Sequence, residues 1–311
     1  MDETQRRRPA PLFGISFAPD AAPEGVQRAP ELARIADEAG LDFLTIQDHP
    51  YNPAFLDTWT LLAVLGARTR RIRLLPNVAN LPLRPPAMLA KAAATLDLLT
   101  EGRVELGLGA GAAWDAIAAY GGPQRTPGEA LAALEEGVTV IRALWQNPAA
   151  GRAVAFNGRF YQLAGARPGP APAHRIGIWL GVYGPRALRL TGRLADGWIV
   201  SAGYVPPEEV PPRQLAIDEA AEEAGRPPEA IRRAYNVAGV VRRPDDPFIH
   251  PRRPGIIAGE ASRWADELAR YYRDLGLDTF IFWPAGRDHA HQIERFAADV
   301  VPAVRRAVAG T

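Results

Sequence analysis

One stretch constrains this chain more than any other: residues 71–111, RIRLLPNVANLPLRPPAMLAKAAATLDLLTEGRVELGLGAG. Ile72 and Leu74 alternate with polar neighbours, the period-two pattern of a strand. Pro86 then opens a helix at a position where a missing N–H costs nothing. Met88, Leu89, Ala92, Leu96 and Leu99 recur at helical spacing and predict one apolar stripe. Gly102 follows the last periodic residue, as a left-handed helix stop does. Val104, Leu106 and Leu108 point to one side of a second strand, which runs into Gly109, Ala110 and Gly111. A helix between two short strands implies a parallel pair joined by a right-handed crossover. The link from Pro76 to Pro86 is too irregular for a plain strand-to-helix turn. It is either a rigid surface loop or a backbone shaped to press against a flat ligand.

The same alternation recurs along the rest of the chain. Strands are expected at 12–17, 41–46, 176–180, 197–200, 234–241 and 279–283. Helices are expected at 28–39, 54–67, 127–145, 184–194, 213–224, 258–275 and 289–308. Residues 154–163 read as a hairpin turning on Asn157-Gly158, the favoured two-residue turn. Residues 242–255 form a polar, proline-rich loop. Eight strands, each followed by a helix, predict an α/β fold of the (β/α)8 TIM-barrel type in one domain, 1–311. Residues 1–10 are expected to be a flexible tail. Insertions follow strand four and occupy the late loops, with 149–173 as a hairpin and proline-rich insertion. In such barrels the reactive face lies at the strands' C-terminal ends. That places Asp48, His49, Asn77, Val78, Asn80, Gly109, Ala110, Gly111, Asp115, Gly181, Val182, Tyr183, Gly184, Pro185, Arg186 and Ser201 around one opening. Trp114, Tyr183, Tyr204 and Phe248 would line a substrate pocket there. Arg73 and Glu105 fall opposite the aliphatic stripe and are expected to pair in a polar layer inside the barrel.

Charge and composition exclude several classes of function. The formal net charge is +1 over 311 residues, so nothing points to a nucleic-acid or membrane-surface partner. Cysteine is absent, which removes disulfides, thiolate metal sites and cysteine nucleophiles. No apolar run is long enough to span a membrane and no secretory signal precedes the first strand, so a cytoplasmic location is expected. His289 and His291 lack neighbours that would complete a metal site, and no metal is expected.

Three motifs carry chemistry, each with a plainer alternative. His49 ends a strand beside Asp48 and before Pro50. An imidazole there can exchange protons near neutral pH, or it can be structural. Gly107-x-Gly109-x-Gly111 fails as a dinucleotide fingerprint because Ala112 replaces the third glycine. It is either a tight turn or a place where backbone approaches a ring system. Gly184-Pro185-Arg186 opens a helix, where free N–H groups and a guanidinium favour an anion. It is equally an ordinary helix start with an exposed arginine.

Together these residues resemble the bacterial luciferase-like superfamily of flavin-type oxidoreductases, in particular members that use the deazaflavin coenzyme F420. The motifs carrying the resemblance are RIRLLPNV with LRPPAMLAKAAATLDLLTEGRVELGLGAG, and GPRALRLTGRLADGW. The resemblance implies a (β/α)8 barrel that binds its coenzyme at the strand C-termini. It implies a non-proline cis peptide at Asn77–Val78 behind the ring, a polar ring contact from Asp48 and an active-site histidine at His49. Gly109 to Gly111 would lie near the ring, and Gly181 to Arg186 at the phosphate end. Sugar-phosphate dehydrogenases of this group carry a glutamate where this chain has Ala112, and Val182 alters the usual paired glycine after strand five. The implied activity is hydride transfer between coenzyme F420 and a small organic substrate, with a homodimer as the family's expectation. The same fold also serves FMN-dependent monooxygenases supplied by a separate flavin reductase. A non-catalytic flavin-binding protein is the alternative of another class.

Overall fold

A computed structural model of the protein describes residues 9–146, 152–243, 246, 255–286 and 288–309. Strands and helices alternate. The first half of the chain contains β1 (Leu12–Phe17), α1 (Pro23–Glu38), β2 (Phe43–Ile46), α2 (Thr58–Arg68), β3 (Arg73–Pro76), β4 (Ala79–Asn80), α3 (Pro86–Leu99), β5 (Leu106–Gly109), α4 (Trp114–Ala119) and α5 (Pro127–Trp145). After them come β6 (Val154–Asn157), β7 (Gln162–Ala166), β8 (Ile178–Leu180), α6 (Pro185–Leu194), β9 (Gly197–Ser201), α7 (Val210–Glu223), β10 (Arg232–Arg242), β11 (Ile256–Glu260), α8 (Ala261–Leu275), β12 (Thr279–Pro284), α9 (His289–Arg295) and α10 (Val301–Val308). The chain divides into two compact units, one of residues 1–17, 31–45 and 183–311, the other of residues 18–30 and 46–182.

In the first unit β1 pairs in parallel with β12, β12 with β10, and β10 with β9. β10 is long enough to carry β9 along its first half and β11 along its second. β11 takes the first residues of the helix expected over 258–275, which begins instead at Ala261; IIAGE is too short to show a period. An aromatic cluster fills this core. Phe282 stacks on Phe296 at 4.6 Å, and Trp264 meets Phe282 edge-on at 5.2 Å. The single helix expected over 289–308 is interrupted by a π-turn at Phe296–Val300. Pro302 in the next turn lacks the N–H that an unbroken α-helix needs.

In the second unit β4, β5 and β8 form a parallel array, and a bridge between Leu74 and Val104 attaches β3. The buried face of α3 is rotated from the expected stripe. Leu89, Ala90, Ala93, Ala94 and Leu96 are buried, whereas Met88 and Leu99 are exposed. The alanines let neighbouring elements approach closely, and α5 seals against α3 through the Trp145 indole N–H, which donates to the Ala90 carbonyl at 2.9 Å. The hairpin also corrects the sequence reading. Asn157 pairs with Gln162, so residues 158–161 form the loop. The Glu136 carboxylate on α5 accepts the N–H groups of Arg159, Phe160 and Tyr161 at 2.9, 2.9 and 3.0 Å. Three charge-assisted bonds from a distant helix outweigh the local turn preference of Asn-Gly.

Arg73 and Glu105 do meet, at 3.6 Å. They belong to a larger cluster. Asp97 is fully buried and accepts the Val104 and His174 N–H groups, both at 3.1 Å. The His174 ring lies 2.9 Å from Asp97 through Nδ1 and 3.7 Å from Glu105 through Nε2. Glu105 and Asp97 hold this imidazole above its ordinary pKa, against partial burial. A raised folded pKa stabilises the fold fully below the unfolded value near 6.5 and ceases to do so as pH rises through the folded value. Thermal melts across pH 5.5 to 9 should therefore show a stability component that declines with rising pH. His174→Gln should remove that component, and an unchanged slope in the variant would exclude His174 as its source.

Candidate active site

The site residues of the second unit sit where β2 and β3 end. Thr58, at the start of α2, donates its hydroxyl to the Gln47 carbonyl at 2.7 Å, which ties α2 to the end of β2. Between them the chain turns so that the Asn52 N–H meets the His49 carbonyl at 2.9 Å. His49 keeps an exposed edge, with Nδ1 3.0 Å from the Tyr51 hydroxyl and its ring near those of Tyr51 and Phe55. Burial lowers its pKa, opposed by the Asp48 charge. Burial raises the Tyr51 pKa, so the phenol stays protonated. The arrangement fixes one imidazole nitrogen and leaves Nε2 to exchange a proton.

Asp48 is buried, and both of its oxygens are used. Asn80 N–H donates to Oδ2 at 2.9 Å, and Arg84 forks across both oxygens at 2.7 Å each. Asn80 belongs to the turn that the sequence places at the opening, but Arg84 does not. Arg84 was hidden because it lies in the proline-rich link, where local pattern does not say which way a side chain turns. The Asn80 Oδ1 atom is buried with no hydrogen-bond partner among the described residues. A buried acceptor without a donor marks a place for one from outside the chain.

The Asn77–Val78 peptide is cis, as the sequence resemblance implied. β3 ends before it at Pro76, and the chain resumes pairing at Ala79, opposite Leu108. Val78 is packed among glycines from three positions. A β-carbon on Gly107, Gly109 or Gly181 would come within 3.0, 2.8 or 2.9 Å of a Val78 methyl. On Gly107 it would also fall 2.0 Å from the Pro76 carbonyl oxygen. Gly107 and Gly109 of the failed dinucleotide motif therefore serve close approach of backbone to Val78, whereas a β-carbon on Gly111 would meet Pro82, Trp114 and Ile117. Val182, next to Gly181, is buried. Ala110 is half-buried, and Gly111 has a positive φ of 94°. Asp115 lies on the first turn of α4, where it accepts from Gln124 at 3.2 Å.

The first unit carries the remaining predicted residues. Gly184 caps α6 without any side-chain cap bond, and Pro185 occupies the first turn. Arg186 is exposed, and no carboxylate among the described residues pairs with it. An uncapped ten-residue helix start with a free guanidinium can bind an anion. The exposed rings of Tyr183 and Tyr204 lie 5.9 Å apart. Ser201 accepts from the Asn236 side-chain amide at 3.1 Å. Phe248 lies outside the described residues. No group of three or more metal-binding side chains occurs among the described residues.

Residues 12–297 match the model of the luciferase-like monooxygenase family. The chain belongs to this family. Among curated relatives of this luciferase-like chain is the F420-dependent glucose-6-phosphate dehydrogenase of Nocardia farcinica, 29% identical over 94% of this chain and 98% of that protein. The enzyme of the same name from Mycolicibacterium fortuitum is 31% identical over 89% of this chain and 93% of its own length. Solved structures extend the likeness. An F420-dependent secondary alcohol dehydrogenase, in complex with an F420–acetone adduct, superposes with a TM-score of 0.83 at 22% identity, covering 95% of this chain and 99% of that one. The F420-dependent tetrahydromethanopterin reductase of Methanopyrus kandleri gives a TM-score of 0.80 at 20% identity, covering 94% and 99%. This likeness establishes the fold of the luciferase-like chain as the expected α/β barrel.

The packing around Val78 generates a test. Gly109→Ala or Gly181→Ala should cost about 1–3 kcal/mol in denaturant unfolding, because a stiff β-branched side chain cannot give way. Val78→Ala should recover most of that loss in the Gly181→Ala background. Gly107→Ala, which meets a backbone carbonyl, should not be rescued by it.

Proposed function

We propose that this protein is a coenzyme F420-dependent oxidoreductase acting on the alcohol or carbonyl carbon of a small organic substrate. The observation that carries the reading is the likeness to curated relatives, F420-dependent dehydrogenases matched over nearly the whole chain; two of the solved structures that share the fold are F420-dependent enzymes as well. The residues present fit such a coenzyme. In the second unit, the glycine-packed Val78 and the unpartnered Asn80 Oδ1 suit a flat polar ring, with Asp48, Asn77, Gly109, Ala110, Gly111, Asp115, Gly181 and Val182 as the ring-side residues. In the first unit, Gly184, Pro185 and Arg186 suit a phosphate, with Tyr183 beside them. When bound, the coenzyme supplies a hydride donor or acceptor that reacts poorly with oxygen.

The chain supplies the proton chemistry. With Nδ1 held by Tyr51, neutral His49 accepts the hydroxyl proton of an alcohol at Nε2, and the imidazolium returns it to a carbonyl oxygen in the reverse direction. Ala112 is exposed where sugar-phosphate dehydrogenases of the resemblance carry glutamate, so no carboxyl donor exists at that position and the role falls to His49. A homodimer in the cytoplasm completes the reading, and light scattering and cell fractionation test both parts.

Titration of the purified protein with coenzyme F420 and with FMN tests the cofactor. Binding of the deazaflavin with FMN ignored is expected, and strong FMN binding with oxygen consumption would replace this reading by a monooxygenase. His49→Ala should bind coenzyme F420 nearly as well as wild type but turn over about 10²–10⁴-fold more slowly. In wild type, alcohol oxidation should rise with pH through a value below about 6.5 and then level off, because burial lowers the His49 pKa and the neutral form is the base. Arg186→Ala should weaken binding of the phosphorylated coenzyme and leave a dephosphorylated analogue little changed; equal losses would remove the phosphate role.

A further inference from the structure

Arg84 is the one cation bonded directly to the Asp48 carboxylate among the described residues. Its fork onto Asp48 is bidentate, and Nη2 also reaches Asp57 Oδ2 at 2.6 Å. The Asp48 side chain is 1% exposed and that of Arg84 18%. Asp57 is itself anchored as the N-cap of α2, accepting the Thr60 N–H at 2.9 Å. One planar guanidinium thus ties together the end of β2, the start of α2 and, through Asp48, the backbone of Asn80. Against the cost of burial, Asp48 and Asp57 hold Arg84 firmly protonated. Against burial again, the Arg84 and Thr60 bonds keep the Asp57 carboxyl below its ordinary range.

We propose that Arg84 is a positioning residue: it balances the Asp48 carboxylate and locks it in place, so that the His49 imidazole works beside a closed ion pair rather than a bare negative charge. This rests on the reading of His49 as the proton carrier. The other polar groups near that ring are accounted for. Tyr51 meets Nδ1, and Phe55 contributes only an aromatic face. Asp20, whose backbone bridges to Phe55, is committed to Arg28 at 3.7 Å and to the Ala22 N–H at 3.0 Å. Asp57 is shared between Arg84 and its helix cap. Asp48 is therefore the charge that acts on His49 against the effect of burial, and Arg84 balances it. A bare carboxylate at that place would favour imidazolium and leave less of the neutral base at pH 7. Lysine could not replace Arg84, because an ammonium lacks the planar fork that spans both Asp48 oxygens and Asp57.

The experiment reads the His49 imidazole by NMR titration in coenzyme-free protein, with the resonance assigned by its loss in His49→Gln. Arg84→Met should raise the His49 pKa by about one unit relative to wild type. Asp48→Asn combined with Arg84→Met removes both charges and should return it close to the wild-type value. Arg84→Lys should give a smaller rise and keeps a cation in place if the methionine variant does not fold. An unchanged His49 pKa in a folded Arg84→Met or Arg84→Lys protein overturns the assignment. With coenzyme F420, the lower limb of the kcat–pH profile should move by the same amount, with the substrate KM little changed. Turnover with F420 and no imidazole shift defeats the role of Arg84 alone. An imidazole shift in a protein that does not turn over F420 defeats the proposed function and leaves the charge balance standing.

Discussion

The buried Asp48 carboxylate organises the second unit's candidate site. A carboxylate out of water must have its charge met and its lone pairs filled, or the fold does not tolerate it. Here the guanidinium of Arg84 and the N–H of Asn80 meet both needs. Because Arg84 also reaches the cap of α2, the requirement of one buried charge fixes the end of a strand, the start of a helix and the irregular link after β3. His49 inherits its place from this construction, being the next residue along a backbone held on both sides.

The second constraint is steric. Val78 sits where a β-carbon on any of three glycines would intrude. The glycines are spaced as Gly107 and Gly109 on one strand and Gly181 just after the neighbouring one, and their shared neighbour explains their presence together. Closeness of this kind produces a rigid surface, since neither a valine side chain nor strand backbone has a soft direction in which to yield. A rigid, shaped surface is what a hydride-transferring coenzyme needs from a protein that contributes position and electrostatics rather than the redox chemistry itself.

Away from the site, carboxylates are satisfied in the same manner. Asp97 spends its oxygens on two backbone N–H groups and an imidazole, while Glu136 gathers three N–H groups of a hairpin loop. In both cases a carboxylate on a helix sets the course of a distant loop. The Asp97–His174 pairing spans 77 residues and the Glu136 bonds 23 to 25, and in the hairpin the long-range bonds outweigh the local turn preference.

The sequence by itself determined the alternation of strands and helices, because hydrophobic period is a local property that survives without a fold. Leu12–Phe17 and Pro127–Trp145 coincide with the expected elements for that reason. Family resemblance in the residues around Pro76 and Gly109 also located the cis bond at Asn77–Val78. Tertiary structure alone decided the partners. Nothing local says that Arg84 turns onto Asp48, that Glu136 rather than Asn157-Gly158 shapes the hairpin, or that Leu89 and not Met88 faces the core. Those choices depend on which groups arrive together once the chain has closed. Desolvation then makes each unpaired charge or misplaced methyl costly enough to select a single arrangement.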